Sequence, residues 1–331
     1  MSASITITVA SAVAIALLAA GSFVTAARMG AFELSEQELR ERHQLPDSKF
    51  VDVDGINYHY LDEGEGEVVL LMHGSYLNLR DWDDWAKALV EAGYRVVRFD
   101  RPASGLTSGY TAKGAGYARE IELLGGFIKT LGLERVTLVG TSSAGVVAFS
   151  YAADHPDVVQ RLILMNFPLG HSRIGSPASM ETARKVRSVL GRFQPEYYTR
   201  QLLRTNLVDH SRITPDLVTR MTDFANRKGL QENAVAGFKN GAQLTEEQRR
   251  QSIARLTMPT LVIWSDQNRM VSVEDGREAF NLIPATKKTF ATLSNAAHMV
   301  PLEQGDTSVR IAINFLSETP LAAPAEAAPA E

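Results

Sequence analysis

A serine that follows a glycine by two positions, between an aliphatic run and a run of small residues, is the first place in this chain where chemistry can be read. The stretch is "LVGTSSAG", residues 138 to 145. It predicts a strand ending at Gly140, a tight turn at Ser142 and a helix starting there. A nucleophile on such a turn has a strained backbone and crowded flanks, so its neighbours must be small. Gly140 lies two before Ser142, Ala144 two after, and Gly145 comes next. Against Gly-x-Ser-x-Gly, Ala144 is a departure that remains small. Ser143 is the rival nucleophile, but its flanks would be Thr141 and Gly145, and a β-branched residue suits that tight position poorly. The plainer alternative for Ser142 is an ordinary helix N-cap.

A serine hydroxyl needs a base. His298, in "SNAAHMVPLEQ" between the last strand and the last helix, is placed to take its proton. The other histidines are less apt. His43 precedes the domain, His59 lies on an early strand and His155 in a helix-ending turn. His171 and His210 sit where they could face substrate, with a solvated surface role as the plainer reading. His73, in "LLMHGSY", is expected to shape a turn rather than ionise. Just after it, the Ser75 N–H can join the Ser143 N–H in holding an oxyanion. A histidine base is in turn served by a carboxylate. "LVIWSDQNRMVS", residues 261 to 272, offers an acid, Asp266, and an amide, Asn268.

The elements that must position these residues follow from hydrophobic patterning. Between residues 50 and 317, short apolar runs such as "EVVLLMHG", "YRVVRFD", "RVTLVG", "VQRLILMNF" and "TLVIW" alternate with helical stretches. That alternation predicts an α/β fold with a mostly parallel central sheet and helices on both faces, its active residues gathered at the carboxyl ends of strands. From 168 to 255 the alternation stops and the pattern is helical and amphipathic, which predicts an inserted cap. The sheet-bearing core is then expected in two parts, 48–167 and 256–317, with 318–331, rich in Ala, Pro and Glu, as a disordered tail.

With 331 residues and 45% hydrophobic composition the chain can bury a large core. A net charge of −4 without a basic stripe argues against a nucleic-acid partner. The absence of cysteine excludes disulfides, thiolate metal sites and a cysteine nucleophile. Residues 5–27 carry no charge and, as a helix, would be long enough to cross a bilayer. They are read as an uncleaved N-terminal membrane anchor within segment 1–28, making the protein membrane-associated. A cleaved signal with Thr25, Ala26 and Ala27 at its processing site, leading to a secreted or periplasmic protein, is the alternative.

Taken together, "HGSY", "RFDRPASGLTSG", "LVGTSSAG", "LVIWSDQNRMVS" and "AAHMVPLEQ" resemble, in order and rough spacing, the α/β-hydrolase fold family with a helical cap. The resemblance covers most of residues 50 to 317. It implies a cofactor-independent serine esterase, lipase, lactonase or carbon–carbon bond hydrolase, in the chain order Ser, acid, His. Members that use an Asp nucleophile, the epoxide hydrolases and haloalkane dehalogenases, are disfavoured by Ser142. The resemblance also places the triad acid at Asn268 rather than Asp266, and its second acid position at Asn166. Three accounts follow: Asn268 serves in a Ser–His–Asn set, Asp266 reaches His298 through a rebuilt loop, or catalysis is impaired. The main expectation is hydrolysis of a small carboxylic ester or lactone through an acyl-enzyme on Ser142. A catalytically weak binding protein, and a carbon–carbon bond hydrolase or lyase, are the alternatives. Phe193, Tyr197, Tyr198 and Leu202 are candidate pocket walls from the cap.

Overall fold

A computed structural model describes residues 2–110, 116–170, 178–230 and 243–321, with side chains from residue 13 onward. His171 and residues 322–331 of the expected tail lie outside the described residues. The centre of the fold is an eight-stranded sheet in the order β1-β2-β4-β3-β5-β6-β7-β8. The strands are β1 (Lys49–Val53), β2 (Ile56–Glu63), β3 (Val68–Met72), β4 (Arg95–Phe99), β5 (Val136–Thr141), β6 (Val159–Met165), β7 (Thr260–Ser265) and β8 (Lys288–Leu293). β1 and β2 pair antiparallel, as do β2 and β4, and every other pairing is parallel.

The inner strands are continuous apolar runs because both of their faces are covered. Alternate residues separate cleanly. Leu70, Met72, Leu138, Leu164, Val262 and Trp264 pack on one side with α5 (Ser143–Asp154) and α4 (Tyr117–Thr130). Val69, Leu71, Val139, Ile163, Met165 and Ile263 pack on the other, with Trp85 of α3 (Asp83–Glu91) and with Phe315 of the helix Gly305–Glu318. The parallel register brings Met72 beside Gly140, Thr141 beside Met165, and Ser265 beside Leu293. The segments that leave these strands therefore emerge along one edge, where the candidate site must form.

Several elements depart from expectation. β1 and β2 form a hairpin closed by Asp54 and Gly55, both at positive φ (53° and 79°), the backbone a two-residue type I′ turn demands. The last helix runs to Glu318, and Thr319 is buried with its carbonyl accepting from Arg161 Nη1 at 3.0 Å, so order extends past residue 317. Between β6 and β7 lie α6 (Ala178–Leu190), α7 (Glu196–Asn206) and α8 (Pro215–Ala225), followed by the helix Glu246–Ile253. That last helix packs on α5, and its Ile253 joins the main core beneath the sheet rather than the cap.

The expected membrane anchor is not upheld. Residues 5–27 lie within α1 (Ser2–Arg28), yet among the described residues no helix is long and apolar enough to cross a membrane. The end of α1 is instead engaged by the cap. Ala27 is fully buried, Arg28 Nη1 donates to the Ser188 and Val189 carbonyls, and the rings of Phe23 and Phe32 pack against Phe193. This overturns the expected membrane-associated location, and no described span supports a membrane partnership through 5–27.

A buried ion pair ties α8 to the 3-10 turn Leu79–Trp82 that follows β3. Arg220 Nη2 of α8 donates to Asp81 Oδ1 at 3.1 Å, and both side chains are almost fully enclosed. Burial pushes the Asp81 carboxyl up to about 6, against the opposing pull of Arg220 and of the Asn78 N–H. Removing one partner of a buried pair strands the other. Arg220→Met is therefore expected to lower stability by about 3–5 kcal/mol. In urea titrations the double change Asp81→Asn/Arg220→Met should recover part of that loss.

Candidate active site

Ser142 stands where β5 turns into α5. Its φ of 54° and ψ of −129° are a conformation that L-residues rarely hold, which projects the side chain away from both elements. The turn is anchored by Ser142 N–H donating to the Met165 carbonyl at 2.9 Å. Tight neighbours explain the glycines. A Cβ on Gly145 would stand 2.6 Å from Phe167 Cβ, and one on Gly74 would stand 3.0 Å from Ser142 Cβ. Ala144, the departure from the expected motif, is fully buried inside α5 and meets no such conflict.

His298 reaches this serine: its Nε2 lies 2.9 Å from Ser142 Oγ. Its Nδ1 lies 3.2 Å from Asn268 Oδ1. The same Oδ1 accepts from the backbone N–H of Met270 (2.9 Å) and of Val271 (3.3 Å). Those two donors fix which end of the amide faces the imidazole, because an NH2 group turned the other way would oppose two N–H groups. With an acceptor against Nδ1, the imidazole proton sits on Nδ1 and the Nε2 lone pair is directed at the serine hydroxyl. Asn268 Nδ2 is buried without a partner among the described residues. The surroundings thus serve an oxygen at this position and offer nothing to the amide nitrogen. Burial depresses the His298 pKa to about 4, so the ring is neutral at pH 7.

Asp266 is not brought to the histidine. It is exposed, its N–H continues the β7–β8 ladder to the Leu293 carbonyl, and its Oδ1 accepts from Ala296 N–H at 3.3 Å. The ladder bond keeps the chain extended at 266 and turns that carboxylate out along the loop. Asn166, at the second place considered for an acid, is fully buried with φ 45°. Its amide donates to Ser265 Oγ and to the carbonyls of Ala297 and His298, and its Oδ1 accepts from Ser265 N–H. It holds backbone and does not touch the imidazole ring.

Beside Ser142, Ser75 and Ser143 meet through their hydroxyls at 2.9 Å. Among the described residues no hydrogen bond takes the N–H of either, so both donors are free for an oxyanion. Arg101 lies behind them. Its Nη1 donates to Ser143 Oγ at 2.9 Å and to the His73 carbonyl at 3.1 Å, and Glu120 holds the rest of the guanidinium. His73 is buried, with Nδ1 donating to the Gly74 carbonyl and Nε2 accepting from Arg101 N–H. Burial lowers its pKa to about 4, and it shapes the turn as a neutral ring. Arg101 lies in "RFDRPASG", but its partners His73, Glu120 and Ser143 come from other segments, which the motif alone does not reveal.

The cap candidates divide. Leu202 packs with Leu77, two residues after Ser75, and with Met299, which follows His298. Tyr198 is buried against Met180 and Ala183, Tyr197 is exposed, and Phe193 faces the N-terminal arm. His210 is exposed and bonds the Arg204 carbonyl. Among the described residues no group of His, Asp and Glu is arranged to hold a metal ion.

Comparison with known proteins agrees with this architecture. A family model for the α/β-hydrolase fold matches residues 67–304. The 2-hydroxy-6-oxononadienedioate/2-hydroxy-6-oxononatrienedioate hydrolase of Burkholderia vietnamiensis is 29% identical over 280 residues, 81% of this chain and 95% of that protein. The 2-hydroxy-6-oxo-6-phenylhexa-2,4-dienoate hydrolase of Comamonas testosteroni is 28% identical over 276 residues, 81% and 93% of the two chains. Among solved structures, a meta-cleavage product hydrolase from Pseudomonas fluorescens superposes with a TM-score of 0.68 at 22% identity, covering 82% of this chain and 98% of that one. A thermophilic esterase from Thermogutta terrifontis gives 0.64 at 22% identity, with the same coverage. At that identity the two structures speak for the fold alone.

Proposed function

Because the chain belongs to the α/β-hydrolase family, we propose that it is a serine hydrolase whose substrate is a small conjugated keto acid, cleaved at the carbon–carbon bond beside a ketone carbonyl. The observation that carries the mechanism is the 2.9 Å approach of His298 Nε2 to Ser142 Oγ, with Asn268 Oδ1 behind the ring. The hydroxyl proton passes to Nε2 as Oγ bonds the carbonyl carbon, and the N–H groups of Ser75 and Ser143 receive the oxyanion. On collapse the carbon–carbon bond breaks and the imidazolium returns the proton to the departing carbon. Its electron pair is tolerable only when delocalised into a conjugated acid, which is why this class of substrate suits the reaction. Water then adds to the acyl-enzyme, with His298 again as base, and releases a carboxylic acid from Ser142. Water and substrate go in, two acids come out, and no cofactor takes part.

The named activity of the relatives favours carbon–carbon cleavage over the ester or lactone reading drawn from sequence. One feature favours esters as a second reading. Asn268 carries no charge to support the imidazolium, and an alcohol with a low pKa asks less of that acid than a carbon does. The test is a side-by-side assay of a 2-hydroxy-6-oxo-dienoate and a short-chain nitrophenyl ester, with a serine-reactive phosphonate as a label. A higher kcat/KM on the dienoate supports the proposal, and turnover of the ester alone overturns it in favour of the second reading. Failure of folded protein both to turn over either substrate and to take the label would remove the hydrolase mechanism and leave a binding protein.

Asp266→Ala is expected to leave turnover within about threefold of wild type, since an exposed substitution away from the base removes one weak bond. A loss comparable to that of His298→Ala would restore Asp266 as the acid.

A further inference from the structure

The main chain around His298 is held from two sides. Its carbonyl, with that of Ala297, faces the core and accepts from Asn166 Nδ2 at 3.1 Å. Its N–H faces the cap: His298 N and Met299 N both donate to the carbonyl of Asn206, the last residue of α7, at 3.1 and 3.3 Å. One carboxylate spans the same seam. Glu303, buried in the short helix Val300–Glu303, accepts from Ala297 N–H at 2.6 Å through Oε2. Through Oε1 it accepts from Val208 N–H and, at 2.7 Å, from Asp209 N–H, where the chain leaves α7.

We infer that Glu303 is a positioning residue for the general base: it fixes the exit of α7 to the His298 loop, and so the cap becomes part of the scaffold that aims Nε2 at Ser142. The inference rests on His298 acting as the base in the proposed reaction. Glu303 touches neither the ring nor the serine, so its action is through backbone alone. Only a carboxylate has an acceptor at each end for donors arriving from opposite elements. Glutamine keeps the shape but would set its NH2 against one of the two donor groups. The side so opposed must shift, and Asn206 O with the N–H groups it receives must shift with it. A displacement of the base by about 1 Å is enough to cost on the order of 10²-fold in rate.

The test uses full-length wild type and Glu303→Gln. Active sites are counted by phosphonate titration, and amide hydrogen exchange is followed at His298 and Met299. Expected are a fall in kcat per titrated site of about 10–100-fold with KM nearly unchanged, and faster exchange at the His298 and Met299 amides. A residue of merely structural importance would lower the unfolding midpoint and leave kcat per titrated site at the wild-type value, and that result overturns the inference. It is equally overturned if exchange quickens at Val208, Asp209 and Ala297 but not at His298 and Met299. The exchange reading needs no activity, so it judges the clamp even if the wild type proves not to hydrolyse either substrate. Should Glu303→Gln not fold, Glu303→Asp, shorter by one methylene, is read by the same criteria.

Discussion

Ser142→Ala is expected to lower kcat by about 10⁴-fold or more with KM and stability little changed. The strain at Ser142 resides in its backbone, φ 54° and ψ −129°, and an alanine inherits it without adding bulk. What is lost is the attacking oxygen and the hydrogen-bond partner of His298 Nε2. The free N–H groups of Ser75 and Ser143 remain and can still polarise a bound carbonyl, so a residual rate above the uncatalysed one should persist. The comparison is made with steady-state turnover and with intact mass after phosphonate treatment, where the wild type gains one adduct and the variant none. A variant within tenfold of wild type would mean that Ser142 is not the nucleophile, and Ser143, bonded to Ser75 and Arg101, would be the next candidate.

Asn268→Asp has the opposite sign and is the more revealing change. In the serine-protease template, replacing the acid by an amide costs about 10⁴-fold because the amide selects the wrong imidazole tautomer. Here the N–H groups of Met270 and Val271 hold the amide oxygen toward Nδ1, so the tautomer is already the useful one. The missing contribution is charge alone. A hydrogen bond to a charged group is worth about 1–2 kcal/mol more than a neutral one. A gain in kcat of about 5–30-fold is therefore expected, far short of four decades. The pH dependence should move as well. The base acts when unprotonated, and burial holds the wild-type His298 pKa near 4, so activity should persist on acidification and fall only around pH 4. A carboxylate beside Nδ1 favours the imidazolium and raises that pKa. The acid limb of kcat/KM in Asn268→Asp should accordingly lie at higher pH than in wild type. A gain with no shift in the acid limb would contradict the account of how the residue acts.

Much of the site could be read from the chain because the fold puts chemistry at the ends of apolar runs. Ser142 directly follows β5 with small residues crowding it, and His298 lies in the segment that links β8 to the last helices. Asn268 was visible as an amide in an acid's place, but its orientation was not. That depends on two backbone N–H groups whose direction only the folded loop after β7 defines. Glu303 lies within "AAHMVPLEQ", but its partners Val208 and Asp209 are more than ninety residues away and leave no local signal. The β1–β2 hairpin has a local signal in Asp54–Gly55 between alternating apolar residues. Residues 5–27 are uncharged, but the docking of Ala27, Arg28 and Phe23 against α6 and Phe193 is a tertiary contact with no local sequence signature.

The central claim is that an uncharged Asn268 still presents His298 to Ser142 in the productive tautomer. Its most direct test is the nitrogen-15 spectrum of imidazole-labelled wild type at pH 7, with His298 assigned by comparison with His298→Asn. The account predicts a neutral ring with its proton on Nδ1 and a bare Nε2 accepting from the serine. A proton on Nε2 would leave Ser142 without a base and would contradict it.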